Sequence, residues 1–183
     1  MSPADLRPDE YHAFYANYVA QVPPGLTIDE ALVDSLARLD AFLARVPETG
    51  AGYAYAPGKW TVAQALQHVI DSERVFAYRA LVFGRGDAGP LPGFEQDDFV
   101  AHRGTGLPPL TELREELRLV RETTRRLFRG FRESGGARTQ SDLLLRGVMS
   151  GHEHSVRAIG YICAGHAYHH ARLYEERYGA AIA

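Results

Sequence analysis

Residues 155–178 read SVRAIGYICAGHAYHHARLYEERY. Val156, Ile159, Ile162 and Cys163 recur at the three- and four-residue spacing of a helix, and Leu173 and Tyr174 continue the stripe. No proline interrupts the run, and Gly179 follows it as a natural residue for ending a helix. A helix here places His166 and His170 one turn apart on a single face, where both imidazoles can reach one ion. His169 points about 100° away from His170 and falls beside that face, as an outer partner or an exposed ring. Two histidines at this spacing also arise simply as a polar helix face.

Three further segments carry the same periodicity. Leu32, Leu36, Leu39 and Leu43 predict a helix over residues 28–45, with Thr27 as N-cap and Pro47 as stop. Thr61-Val-Ala-Gln64 reads as a capping box opening a helix to about Phe83, with Val62, Leu66, Val69, Ile70, Val75, Phe76 and Leu81 inward and Gly84 at its end. Leu113, Leu117, Val120, Leu127 and Phe128 predict a helix over residues 110–131, after Pro108-Pro109. Residues 85–109 form a long Gly/Pro-rich crossover with a short helix expected around residues 95–100. Residues 132–154 are Gly-rich and suit a small hairpin or turn. The aromatic stretch YHAFYANYV, residues 11–19, is expected to be helical and packed on the rest. Four amphipathic helices without a strand pattern predict an all-α four-helix bundle as a single domain over residues 1–183, with the long crossover between the second and third helices.

The bulk properties agree. The 183 residues are 45% hydrophobic and 23% charged, enough apolar material for a core. A net charge of −3 and a pI near 6.2 supply no global basic field, so neither nucleic acid nor an anionic membrane is an expected partner. There is no run of about 18 apolar residues and no apolar core in the N-terminal stretch MSPADLRPDEYH. The single cysteine, Cys163, forms no disulfide within the chain. These features together predict a cytoplasmic protein.

His68, in ALQHVID of the second helix, is the third candidate ligand. The residues leave two readings open for it: a core histidine hydrogen-bonded to a neighbour, or a ligand facing His166 and His170 across the bundle. Three imidazoles suit Zn²⁺, Ni²⁺, Fe²⁺ or Cu²⁺, whereas Mg²⁺ and Ca²⁺ want oxygen. Three protein ligands also leave a coordination position open for chemistry. Asp71 and Glu73 stand close by in sequence as outer hydrogen-bond acceptors.

YANYVAQVP at 15–23, YAYAPGKWTVAQALQHVIDSERVFAYRAL at 53–81, RGDAGPLPGFEQDDFV at 85–100 and residues 155–178 together resemble the DinB-like, damage-inducible, metal-binding bundle superfamily. The resemblance spans nearly the whole chain. It implies a four-helix bundle with a long crossover and one divalent ion, Zn²⁺ or Ni²⁺, held by one histidine of the second helix and two of the fourth. Those positions are His68, His166 and His170. It also implies a homodimer, and a small-molecule substrate handled with a low-molecular-weight thiol such as bacillithiol or mycothiol.

Three functions compete. The leading one is a metal-dependent transferase or hydrolase in which the metal activates a thiol or water. The second is a non-catalytic metal or small-ligand binding protein of a stress response, and the third a structural dimeric bundle. In the enzyme reading the ligating histidines are not free to act as bases, so a base comes from Glu73, Asp97, Asp98 or a metal-bound hydroxide. Glu73 and Arg79 are candidates to orient substrate, and Asp97 and Asp98 to cover the open position. The plainer reading of each is a charged helix face or loop. Tyr55, Lys59 and Trp60 read as anchors of the loop before the second helix, and Cys163 as a small buried hydrophobe in preference to a fourth soft ligand or a reactive thiol near the metal. His152-Glu153-His154 lacks HExxH spacing and reads as loop polarity. The basic run RRLFRGFR, 125–132, shares its helix with Glu112, Glu115, Glu116 and Glu122 and reads as a solvated face.

Overall fold

A computed structural model of the chain describes residues 2–104, 106–131 and 141–182. The first long element, α2 (Ile28–Leu43), begins where the Thr27 hydroxyl accepts from the Glu30 N–H and the Glu30 carboxylate accepts from the Thr27 N–H at 2.8 Å. The same reciprocal cap, between Thr61 and Gln64, starts α3 (Val62–Gly84). Helix α5 (Leu110–Arg129) has Pro109 as its N-cap, and its first N–H is satisfied from a distance by the Glu48 carboxylate at 2.7 Å. Ser155 caps α6 (Val156–Arg177) by accepting from the Ala158 N–H. Each helix lies within two residues of the span its periodicity predicts.

Helix α6 packs along α2 and α3, and α5 packs along the same two helices from the other side. Consecutive α2 and α3 therefore sit at opposite corners of a four-helix bundle. The crossover from α3 to α5 contains a short helix, α4 (Gln96–Arg103), which lies against α3. A two-stranded antiparallel hairpin, β1 (Arg146–Met149) and β2 (His152–Ser155), precedes α6. Its turn residues Ser150 and Gly151 both have positive φ, at 52° and 79°, the backbone that tight hairpins need. The crossover is stitched to β1 through the Leu91 N–H to the Val148 carbonyl and the Val148 N–H to the Ala88 carbonyl, both at 2.8 Å. Of the region expected to hold a hairpin or turn, residues 132–140 lie outside the described residues.

The N-terminal aromatic stretch departs from the helical expectation. Only α1 (Ala16–Val19) is α-helical, preceded by a single tight turn at Ala13–Tyr15 that the His12 ring caps from Nδ1. Pro23 and Pro24 stop it from extending. Helix α1 presses on α6, and Gly165 makes this possible: a Cβ there would stand 2.1 Å from the Tyr18 carbonyl oxygen.

Among the described residues the core has two apolar clusters. One gathers Ile28, Leu32, Phe76, Phe83, Ile159 and Ile162, and the other Leu39, Phe42, Leu66, Ile70, Leu113 and Tyr174. Buried polar side chains of Ser35, His68, Glu73, Arg121, His166 and His170 occur at intervening helix positions.

Candidate metal centre

His68 lies seven residues past the Thr61 cap of α3, about two turns in, and His166 and His170 lie on adjacent turns of α6. The packing of α3 against α6 brings one ring nitrogen of each within 4.8 Å of the other two. His68 Nε2 and His166 Nε2 are 3.0 Å apart, and the three ring centroids are separated by 4.5–5.0 Å. All three rings are buried.

Burial pushes every one of these imidazoles below its ordinary pKa, His68 to about 4 and the other two well below. Mutual repulsion within the histidine group adds to the effect. The three rings are thus neutral near pH 7, the state that offers a lone pair. Two neutral rings with nitrogens 3.0 Å apart must share a proton or a common cation. Tetrahedral Zn²⁺, with bonds of about 2.0–2.1 Å, spaces its nitrogens by roughly 3.3 Å. The donor set and its spacing therefore fit a divalent transition metal.

The surroundings hold the rings in place. Ser72 Oγ, one turn after His68, lies 3.4 Å from His68 Nδ1 and fixes that ring's outer edge. Trp60 leans on His68, with centroids 4.9 Å apart, and Tyr18 stands edge-on to His166 at 5.3 Å. Trp60 therefore contacts the site itself as well as anchoring its loop. His169 is half-buried beside the trio, with Gln21 Nε2 3.4 Å from its Nδ1.

Two cavities converge on the histidines. One, of about 470 Å³, is lined by Lys59, Trp60, His68, Asp97, His170 and Arg177 among others. The second, of about 390 Å³, is lined by His68 and His166 together with Ser72, Phe76 and Arg79. Tyr18, His68 and Gln96 line both.

Glu73, a candidate base, is placed elsewhere. Both its oxygens accept from Arg121, at 2.8 Å each, and the pair is buried. Arg121 also donates to the Leu32 carbonyl and to Ser35 Oγ. A carboxylate so engaged ties α3 to α5, and it is not among the residues lining either cavity at the histidines. The partner that claims it, Arg121, looks in the sequence like one more charge on a charged helix. Asp71 likewise turns from the histidines toward Gln67 and Arg74. Asp97 is exposed in the first turn of α4 and borders the larger cavity, while Asp98 is exposed without bordering either.

Cys163 is buried outside the ligand group, its thiol pushed up by burial and by the Glu73 carboxylate. His152-Glu153-His154 forms β2 and fastens the N-terminal segment. His154 Nε2 accepts from the His12 N–H, His152 stacks on His12 at 3.7 Å, and Glu153 pairs with Arg146. In the basic run, Arg125 and Arg129 pair with Asp29 and Arg126 with Glu122. Arg132 lies outside the described residues. No helix is long and apolar enough to cross a membrane among the described residues.

The chain is similar in structure to YfiT from Bacillus subtilis, with a TM-score of 0.70 and 12% sequence identity, covering 94% of this chain and 90% of that one. YfiT is described as a probable metal-dependent hydrolase with an unusual four-helix bundle topology. At this identity the likeness concerns the fold. No curated protein matches the sequence. The sequence profile of the DinB superfamily matches residues 31–173, a span that runs from the first turn of α2 through most of α6 and contains all three clustered histidines, and the chain belongs to that superfamily.

Proposed function

We propose that the chain is a metal-dependent enzyme of hydrolase or transferase type acting on a small molecule, with His68, His166 and His170 holding one divalent ion, Zn²⁺ or Ni²⁺. The observation that carries this reading is a trio of buried, neutral imidazoles within 4.8 Å, bordered by two cavities and joined by no fourth metal-ligand side chain among the described residues. A structural site would be closed by a fourth ligand; three leave a position open to a reactant. When bound, such an ion lowers the pKa of water or a thiol and polarises an electrophile.

The chain's own residues would supply the rest. Trp60, Tyr18 and Phe76 screen the ligating rings from water. Asp97, at the mouth of the larger cavity, is the available carboxylate to take a proton from an incoming nucleophile there. The presence of two cavities lined by ligand-candidate histidines favours a two-reactant transfer, thiol in one and electrophile in the other, over simple hydrolysis.

The test is a rate screen with apo and metal-loaded protein, using low-molecular-weight thiols against small electrophiles and water against activated esters. Metal-dependent turnover that falls in Asp97→Asn supports the reading. Loading that changes no rate across the panel contradicts it and leaves a metal-binding protein without catalysis.

A further inference from the structure

Arg79 lies in the wall of the smaller cavity, and its side chain is only 2% exposed. Arginine is almost never so buried without an acidic partner, because taking a guanidinium out of water is costly unless an anion compensates. Among the described residues Arg79 has no ion pair. One Nη donates to the Pro92 carbonyl at 2.7 Å, the Tyr15 phenol interacts with it, and the Phe94 ring lies 5.9 Å beneath it. All three are uncharged. Burial works against the charged form of Arg79, and no carboxylate offsets it. The one acidic side chain lining the cavity, Glu95, is exposed and unpaired with Arg79. The contrast with Arg121, equally buried and gripped by Glu73 through two hydrogen bonds, shows what this fold does with a buried arginine that is purely structural.

The same cavity reaches His68 and His166, and its wall adds the hydroxyls of Tyr15, Ser72 and Ser150. Along α3, Arg79 follows His68 by eleven residues, which returns it to nearly the same helix face about 16 Å further on. Long side chains in helices lean toward the helix N-terminus, which for Arg79 is the direction of the histidines, and one cavity is lined by both. We propose that Arg79, with Tyr15 and Ser150, forms an anion subsite at the far end of this cavity. The substrate is then a small molecule whose carboxylate or phosphate docks on Arg79 while its reacting end faces the three histidines. Arg79 acts as a binding residue, a planar donor suited to either oxyanion. The substrate orientation rests on the metal-enzyme reading; the subsite itself rests on the uncompensated buried cation.

The probes are succinate, inorganic phosphate and neutral succinamide, titrated calorimetrically into the untagged full-length chain with and without one equivalent of Zn²⁺. An anion is expected to bind and succinamide is not. Tighter binding of succinate assigns a carboxylate substrate, and tighter binding of phosphate a phosphorylated one. Arg79→Gln is expected to weaken the anion by about tenfold or more with Zn²⁺ uptake unchanged, and Arg79→Lys to weaken it less. No binding of either anion to the wild type, or equal binding by Arg79→Gln, overturns the proposal. Zn²⁺ uptake without anion binding overturns the subsite alone, whereas anion binding without Zn²⁺ uptake overturns the metal reading alone. Should Arg79→Gln fail to fold, thermal unfolding of the wild type decides. A rise in Tm with succinate or phosphate beyond that of NaCl at equal ionic strength supports the subsite, and no such rise refutes it.

Discussion

The Arg121 guanidinium sits in the bundle interior with Glu73 on one side and the Leu32 carbonyl and Ser35 hydroxyl on the other. Every strong contact it makes crosses from α5 to α2 or α3, so one side chain ties three helices. Removing only one partner strands a buried charge. Arg121→Met is expected to cost about 3–5 kcal/mol in urea unfolding, whereas the double replacement Glu73→Leu, Arg121→Met recovers most of that loss. Equal losses in the single and double variants would contradict this role for the pair. In the sequence, Glu73 looks like a catalytic candidate because it stands five residues from His68. Five residues of helix turn it about 140° from the His68 direction, toward α5.

At the scale of elements, the caps and the apolar periodicity dictate the four long helices, and those signals are local. The N-terminal segment obeys different rules, since its shape is set by contacts more than 130 residues away. Glu10 is fully buried and accepts from Arg157 and from Ser155 Oγ, at the start of α6. Burial alone would raise its pKa; the hydrogen bonds from Arg157, Ser155 and the Arg7 N–H overcome that and hold it at about 2. A carboxylate depressed from 4.5 to about 2 stabilises the fold fully above pH 4.5 and loses that contribution as pH falls toward 2. The loss amounts to about 3 kcal/mol. Unfolding free energies measured from pH 6 to pH 2.5 should therefore decline more steeply in the wild type than in Glu10→Gln. A second test concerns the docking of α1. Gly165→Ala forces a Cβ into the Tyr18 carbonyl and is expected to destabilise by about 1–3 kcal/mol and to expose residues 11–22 to limited proteolysis. Unchanged protection would show that α1 is not held by this close approach.

For the whole molecule, the bundle and its crossover are legible from periodicity and punctuation, whereas the diagonal placement of α2 and α3 is not. That arrangement depends on which faces pair, and all four helices are apolar on one side. The His166/His170 pair is legible from spacing alone. His68 is not legible from its own surroundings, because a histidine between apolar residues looks the same whether it faces a neighbour's hydroxyl or an ion; the family resemblance assigns it to the trio, and the packing of α3 on α6 brings the three rings together. The sequence marks Arg79 as a candidate to orient substrate but says nothing of its burial, and only packing separates this uncompensated cation from Arg121, which Glu73 compensates. An ion that binds the folded chain alone must also stabilise it. One equivalent of Zn²⁺ or Ni²⁺ is expected to raise Tm, and a chelator to lower it again.

His68, His166 and His170 are expected to hold one divalent ion. The direct measurement is elemental analysis of untagged protein, as purified and after reloading with Zn²⁺ or Ni²⁺, beside a His166→Ala, His170→Ala variant. Close to one ion per chain is expected in the wild type, and loss of that ion in the folded variant. A wild type that takes up no metal after reloading, or a variant that keeps it, would show that these three histidines are not a metal site.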